Sequence, residues 1–428
     1  MAPTVDGLVS GLSTSTMISQ LMQIEAAPQT RLKTKVTAAE SVVTAYQSVN
    51  TKLAALKIAA DDLGKLSTWR SIKPASSSTA VTATATPGTT NTQTGSLSFD
   101  VAKLARAQIS TARVDSTADV TSSDTFTISI GSADPVTIDL AGQRTAQGVS
   151  DAINNAGIGV RASLVKTSTG DSVLQLTASK TGAENGFTVS GVDFEVKTAV
   201  AAQDARIQVG GADEDGGYSV TSSSNTFTNL MSGVTLTATR EEAGVTVDVS
   251  SDIGGMADKL KAMVDAANAV LGEVTKQTKF DPTSKKGSAL TGDFMVRQIS
   301  QKVLSAVSQG QADIGSLGKI GVKLDKDGTL SFDKSVFEAA YAADPSKIQT
   351  AGSTFATTVG ALAKKETDTV TGSITGRRSL IDSMTDQIDN WDLRLELRQS
   401  ALTKQYASLE TALSKLKSQS SYLSSQLG

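Results

Sequence analysis

The C-terminal stretch from Arg377 to Gly428 has a spacing of apolar residues that restricts it to a long helix. The apolar residues follow one another mostly in alternating steps of three and four, with Arg398 and Ser420 at two further positions, and they are Ile381, Met384, Ile388, Trp391, Leu395, Leu402, Tyr406, Leu409, Leu413, Leu416, Leu423 and Leu427. Only an α-helix brings residues with this spacing onto one face. Because such a stripe needs a partner, the helix is expected either inside a helical bundle or as a terminal coiled-coil arm used in assembly.

A second stripe with the same spacing lies near the N-terminus and can serve as that partner. It consists of Leu32, Val36, Ala39, Val43, Tyr46, Asn50, Leu53, Leu56, Ala60 and Leu63. Asn50 is its one polar member, and an asparagine in such a stripe often fixes the register of the helices at some cost in stability. The two stripes lie at opposite ends of the chain, so the sequence predicts an antiparallel helical stalk built from both termini.

Composition argues against several classes of function. A chain of 428 residues has room for about two to four domains. Its net charge of −3 and pI of about 5.3 give no electrostatic basis for binding nucleic acid, and no apolar run is long enough to insert into a membrane. The chain has neither cysteine nor histidine, which removes disulfides, thiolate chemistry and histidine acid–base catalysis. The sequence therefore predicts no enzyme, no cofactor and no metal.

Two acidic segments imitate cation-binding loops. In the first, Asp325, Asp327 and Gly328 match positions of a calcium loop, but Lys323 and Lys334 stand where carboxylate ligands are required. An Asp-Gly hairpin turn is the better interpretation. The second, Asp213-Glu214-Asp215, is interpreted as the solvated tip of a hairpin.

The N-terminal segment predicts a short amphipathic helix. Its apolar face consists of Met17, Ile18, Leu21, Met22 and Ile24. Ser13 or Ser15 can cap it, and Pro28 ends it or begins the next helix. The face is expected either to pack on the stalk or to become ordered on a partner.

The same segment does not resemble a secretory signal peptide, because the first basic residue is Arg31 and no unbroken apolar core precedes it. The protein is therefore expected either to stay in the cytoplasm or to leave the cell by a route that cleaves no leader.

The middle of the chain changes to the alternation of strands, as in Leu97, Phe99 and Val101. A separable unit with the order ββαβββ interrupts this region between Phe126 and Val189, and helical periodicity returns after Gly255. The predicted fold is α+β and multidomain, with the terminal helices forming an antiparallel coiled-coil or helical-bundle stalk and two β-rich head domains inserted between them.

The expected domains follow these changes of pattern. They are terminal coiled-coil arms at 1–40 and 390–428, a helical bundle or leg domain at 41–73 and 253–389, an antiparallel β head domain at 74–119 and 200–252, and an inserted α+β head module at 120–199.

Several short motifs in this order resemble the flagellar filament cap family, also called flagellar hook-associated protein 2 or FliD. They are Gly7-Leu8-Val9-Ser10-Gly11-Leu12, Gln20-Leu21-Met22-Gln23-Ile24-Glu25 with Pro28 and Arg31-Leu32, Ala152-Ile153-Asn154 with Leu174-Gln175-Leu176-Thr177 and Thr181-Gly182, Ser224-Asn225-Thr226 with Gly233-Val234-Thr235-Leu236, Leu290-Thr291-Gly292-Asp293, Ile320-Gly321-Val322 with Asp327-Gly328-Thr329-Leu330, and Ser420-Ser421-Tyr422-Leu423. The resemblance covers the whole chain. The sequence departs from the family at Ser13, where an aspartate commonly follows Gly-Leu.

The resemblance implies a structural protein exported through the flagellar type III pathway without a cleaved signal peptide. Such a protein forms a homo-oligomeric ring of about four to six subunits at the extracellular distal tip, retains exported flagellin and guides its insertion into the growing filament. The implied partners are other copies of the chain, flagellin, hook–filament junction proteins and an export chaperone. The candidate contacts for assembly, flagellin or the chaperone are Met17, Ile18, Leu21, Met22, Ile24, Leu402, Leu409, Leu413, Leu416 and Leu423.

Two alternatives remain open from the sequence. In the first, the threonine-rich β head is an adhesin at the flagellar tip that binds host glycan or protein, although the head contains few aromatic residues. In the second, the chain is a filament or junction subunit that polymerises without closing into a ring.

Overall fold

The computed structural model describes residues 13–89, 92–167, 171–311 and 314–427, and the motif from Gly7 to Leu12 lies outside the described residues, as does the side chain of Leu427. The helices are α1 Thr14–Glu25, α2 Ala27–Gly64, α3 Leu66–Trp69, α4 Ala146–Ala156, α5 Ile253–Thr278, α6 Phe294–Ser308, α7 Lys334–Ala343 and α8 Pro345–Leu427. The chain divides into two units, one formed by Met1–Lys65 with Ala257–Gly428 and the other by Leu66–Met256.

The strands of the second unit and of the first are numbered together in chain order. They are β1 Ile72–Ser76, β2 Val81–Ala85, β3 Gly95–Lys103, β4 Ile109–Asp115, β5 Thr125–Ile130, β6 Val136–Asp139, β7 Val160–Lys166, β8 Asp171–Ala178, β9 Phe187–Ser190, β10 Lys197–Val200, β11 Ala205–Val209, β12 Tyr218–Ser222, β13 Thr226–Met231, β14 Val234–Ala238, β15 Glu242–Ser251, β16 Phe280–Asp281, β17 Lys286–Gly287, β18 Val322–Leu324 and β19 Leu330–Phe332. The predicted α+β class is confirmed.

In the helical unit, α2 and α8 pack against each other in opposite directions. Gln29 Nε2 donates a hydrogen bond to Asp392 Oδ1 at 2.5 Å, and Asn50 Nδ2 donates one to Thr371 Oγ1 at 3.2 Å. Residue numbers rise along α2 while those of its partners on α8 fall, so the helices are antiparallel, as predicted. At 83 residues, α8 is roughly 125 Å long.

The helix pair buries its stripes unevenly. Around the second half of α2 the side chains of Leu53, Leu56 and Leu63 are fully buried, and Phe355 is buried on α8. Between residues 29 and 39 of α2, most of the stripe residues are only half-buried. Because burying a leucine fully contributes about 1.5–3 kcal/mol, the pair is held mainly at one end.

The expected boundary between arms and bundle falls inside continuous helices. Residue 40 lies within α2 and residue 390 within α8, and the antiparallel contacts extend to both sides of these positions. The separate arm and leg domains, and the coiled-coil geometry of the packing, stay predictions.

The second unit contains two separate cores. The first lies between a five-stranded sheet of order β1-β15-β3-β11-β12 and a three-stranded sheet of order β13-β14-β2, all paired antiparallel. Phe99, Ile207, Leu236 and Val247 lie in it. The outward positions of these strands are rich in threonine, as expected for a half-solvated antiparallel sheet.

The second core belongs to the inserted module. It packs α4 and a sheet of order β6-β5-β9 with a sheet of order β10-β4-β8-β7. The predicted order of strands and helix between Phe126 and Val189 is confirmed. Thr145 caps α4, because its Oγ1 accepts from the Gly148 N–H at 3.2 Å.

The start of the module differs from the expectation. The strand β4 was expected in the head domain at 74–119, but it pairs with β8 along its whole length, and Ala112 and Val114 lie in the core of the module. Its partner is more than 50 residues away in sequence, so local alternation cannot assign β4 to either sheet.

We expect residues 66–256 to fold without the helical unit, because both cores are formed entirely within this range. The fragment should melt in a cooperative transition followed by circular dichroism. A gradual, non-cooperative loss of signal would contradict the independence of this unit.

We expect Ala141→Asn to stabilise the module by roughly 0.5–1 kcal/mol. Ala141 has φ 48° and Gly142 φ 80°, and the Gln143 N–H donates to the Leu140 carbonyl at 2.9 Å, which is a turn that favours asparagine at its first central position. The exposed Ala133 has no positive φ, so Ala133→Asn is the matched control. Thermal melts compare the two variants, and an equal or lower melting temperature for Ala141→Asn would show that the turn carries no strain.

Candidate functional site

The first helix is nearly continuous with the second. Helix α1 ends at Glu25, Ala26 forms a turn, and Pro28 lies in the first turn of α2, where its missing N–H costs no helical hydrogen bond. Ser13 occupies the predicted N-cap position of α1, but its side chain makes no cap hydrogen bond to the backbone, and its Oγ pairs instead with Thr16 Oγ1 at 2.6 Å. Ser15, the other predicted cap, lies within α1.

Helix α1 packs against α8 and covers part of its stripe. Glu25 Oε1 accepts a hydrogen bond from Arg398 Nε at 2.9 Å, which fixes the level at which the two helices meet. Leu402 lies one helical turn beyond Arg398 and is buried. Among the predicted contact residues, Leu402 therefore packs within the chain and is not exposed to a partner.

The apolar face of α1 is only partly covered. Ile18 and Met22 are half-buried, whereas Met17, Leu21 and Ile24 are exposed, Ile24 by 72%. One side of the face packs on α8, as in the first expectation, and the other side is exposed. Ordering on a partner stays a prediction.

The C-terminal end of α8 carries the largest exposed part of the predicted stripe. Leu409, Leu416 and Leu423 are exposed by 48%, 60% and 57%, and Leu413 between them is half-buried. These four residues are called the C-terminal stripe below. Spaced four, three and seven residues apart, they share one face of α8, which is suited to contact with another apolar surface.

A second group of exposed leucines on α8 was not among the predicted contact residues. Leu393 and Leu397 are exposed by 58% and 64% and lie off the stripe that faces α2. Their spacing of four residues places both leucines on one further face of the helix. The longer stripe that faces α2 has the same spacing and masks this signal in the sequence.

A polar cluster ties three helices together at the well-buried end of the pair. Tyr46 Oη on α2 donates a hydrogen bond to Asp293 Oδ2, and the guanidinium of Arg377 on α8 lies 5.2 Å from the centre of the Tyr46 ring. Burial, together with the hydrogen bond to Asp293, raises the pKa of Tyr46. Asp293 also caps α6, because its Oδ1 accepts from the Val296 N–H at 3.1 Å.

A second contact joins α6 to α8. Lys302 Nζ lies 2.7 Å from Glu366 Oε1, and the Glu366 side chain is only 2% exposed. Removing the lysine would leave a buried carboxylate without its ion-pair partner, which is strongly destabilising. Together with the tyrosine cluster, this ion pair holds α2, α6 and α8 together at the end of the helical unit opposite the exposed ends of α1 and α8.

The described residues offer little for other kinds of site. None of them form a group of three or more acidic side chains that could hold a metal ion. In the segment that imitates a calcium loop, Asp327 Oδ1 accepts from the N–H and the Oγ1 of Thr329 at 3.2 and 2.8 Å, as in a tight turn. Within the same described ranges, every helix is too short or too polar to cross a membrane.

Comparison with known proteins agrees with this arrangement. The family model for the flagellar hook-associated protein 2 C-terminus matches residues 202–418, and the model for the N-terminus of the same family matches residues 10–108. The flagellar hook-associated protein 2 of Escherichia coli K12 is 27% identical, with 98% of this chain and 97% of that protein covered. The A-type protein of Pseudomonas aeruginosa is 26% identical, with 96% and 95% covered.

A solved structure extends the similarity to the fold. The crystal structure of the D1-D2-D3 domains of the flagellar cap protein FliD from Escherichia coli superposes with a TM-score of 0.61 at 27% identity, and it covers 76% of this chain and 99% of that chain. Since the C-terminal family model alone spans half of the sequence, the chain belongs to the flagellar hook-associated protein 2 family.

Proposed function

We propose that this chain is a subunit of the cap at the distal tip of a bacterial flagellar filament. In this role a ring of copies retains exported flagellin and guides its insertion into the growing filament. The observation that carries the proposal is the exposed C-terminal stripe at the end of α8. It is supported by the similarity to the Escherichia coli protein described as a flagellar cap protein.

The exposure of the C-terminal stripe suits a contact that must form and release. A closed ring cannot match every subunit site of a helical filament equally, so some contacts are loose at any moment. Leu409, Leu416 and Leu423 are about half exposed, so docking gains only part of the 1.5–3 kcal/mol that burial of a whole leucine contributes. Several such gains hold a subunit in place, and the loss of a few allows it to move.

The remaining partners follow from the same role. The open side of α1, with Met17, Leu21 and Ile24, supplies a second apolar surface for flagellin, for the hook–filament junction proteins or for an export chaperone. The ring has about four to six subunits, and the chain reaches the cell exterior through the flagellar type III pathway without a cleaved signal peptide. The helical unit serves as the leg, and the β-rich unit as the head.

An adhesin function of the head is not proposed. The large apolar side chains exposed in the β-rich unit include Val136, Val165 and Tyr218, which lie on β6, β7 and β12 in three different sheets. The function proposed for the chain is structural, and it requires neither a cofactor nor catalysis.

We expect the double variant Leu409→Asp/Leu416→Asp to abolish capping while the rest of the chain stays folded. Both side chains are exposed, so charging them leaves the cores intact, whereas docking them would desolvate two carboxylates. Purified protein is added outside cells that lack their own cap protein, and filament length and flagellin lost to the medium are measured. Adding the protein externally separates docking from export.

Ser418→Asp is the matched control, because it adds a charge to an exposed position on another face of the same helix. It should support filament growth like the unchanged chain, and circular dichroism should give the same helicity for both variants. Normal filament growth with the double variant would show that the C-terminal stripe is not the docking element.

A further inference from the structure

The outer face of α8, turned away from α2, is not covered by another part of the described chain. Its residues are spaced by four, three, four and four, and they are Asp382, Asp386, Asp389, Leu393 and Leu397. All five are exposed. At 100° per residue they lie opposite Met384 and Ile388, which are buried or half-buried. This set is called the outer stripe.

A basic group lies on α2 at the same level of the helix pair. Arg31 and Lys35, four residues apart, share one face of α2; both are exposed, and neither forms an ion pair within the described residues. The contact of Gln29 with Asp392 sets the register of the two helices here.

In this register, acidic residues of α8 and basic residues of α2 lie at the same height along the helix pair, but their side chains are on different faces of it. Because the helices are antiparallel, Lys35 lies level with Asp386 and Arg31 lies beside Asp389. The outer stripe points away from α2, so these charges do not meet within one chain. Further along the pair, the exposed Ile24 lies level with the exposed Leu397.

A ring of copies is generated by rotation about one axis. When this axis runs parallel to the helix pair, each residue of the next copy lies at the same height along the axis as in the first copy. This rotation therefore brings the outer stripe of one copy to the basic group of the next, with acid facing base and Leu397 facing Ile24. A contact between two outer stripes would instead place aspartates against aspartates, which disfavours a two-fold pair. Contacts between unlike faces close into rings when the rotation closes.

We propose that the outer stripe of α8 docks on the basic group and Ile24 of a second copy of this chain, so that neighbouring subunits are joined side by side through their helix pairs. The proposal rests on the proposed function in that a cap is a ring of identical chains. The contact is electrostatic near Lys35 and Asp386 and apolar near Ile24 and Leu397. Both parts can form together only at one height of a subunit relative to its neighbour.

The absence of cysteine from the chain makes a direct test possible. Two single-cysteine variants, Arg31→Cys and Asp389→Cys, are purified with tags of different size and mixed under mild oxidation. A disulfide needs Cα atoms closer than about 7 Å, so it reports on the contact itself. We expect the mixture to give the cross-linked heterodimer, and neither variant alone to give a homodimer.

Several results would overturn the proposal. Homodimers of Asp389→Cys would indicate a two-fold contact between outer stripes. Assembly without the heterodimer would place the subunit contact elsewhere and leave the proposed function standing. A chain that stays monomeric at its highest soluble concentration would also overturn it. Cross-linked rings without cap activity would instead support the contact and contradict the proposed function.

Charge reversal gives an independent test. Arg31→Glu/Lys35→Glu should weaken self-association roughly tenfold or more, as should Asp386→Lys/Asp389→Lys, and the combination of all four changes should restore it. Lys52→Glu/Lys347→Glu is the matched control, because it reverses two exposed charges on the same helices and shifts the net charge equally. Sedimentation velocity at low and high salt measures the effect. Failure of the fourfold variant to recover would exclude pairing between these faces.

Discussion

The antiparallel packing of α2 against α8 is the interaction on which the rest of the molecule depends. It brings the two ends of the chain together and leaves the intervening residues free to form separate β-rich cores. Asn50 contributes to the register, because its Nδ2 donates to Thr371 while its Oδ1 is buried without a hydrogen-bond partner among the described residues. Shifting the helices by one turn would lose this hydrogen bond and the contact of the Tyr46 ring with Arg377.

The apolar stripes of α2 and α8 are buried at one end of the helix pair and exposed towards the C-terminus of α8. Near Leu53 and Leu56 the stripes are fully buried, and the ion pair of Lys302 with Glu366 ties a further helix to α8. Towards the C-terminus of α8 the same spacing of apolar residues continues, but Leu416 and Leu423 are exposed. One sequence pattern therefore forms an internal core at one end and an exposed apolar face at the other, which is the face proposed above as the docking surface.

The sequence could predict the parts of the fold that depend on local spacing. The stripes gave the antiparallel helices, and the changes of period gave the order ββαβββ between Phe126 and Val189. Pairings over long distances could not be predicted, because the partner of β4 and the contact of Tyr46 with Asp293 are set by packing rather than by neighbouring residues. The candidate site was predicted in part. The stripe residues were found, but burial of Leu402 under α1 and exposure of Leu393 became visible only in three dimensions.

The two exposed surfaces of α8 lie on different faces and at different levels of one helix. The C-terminal stripe continues the face that packs on α2 and α1, whereas the outer stripe points away from them. In the proposed ring, a subunit would therefore contact its neighbour and a flagellin molecule at the same time without competition for the same side chains. Because helix α8 is continuous between the two surfaces, a change of level at the ring contact also moves the C-terminal stripe. This coupling would let the ring pass a displacement at the filament tip from one subunit to the next.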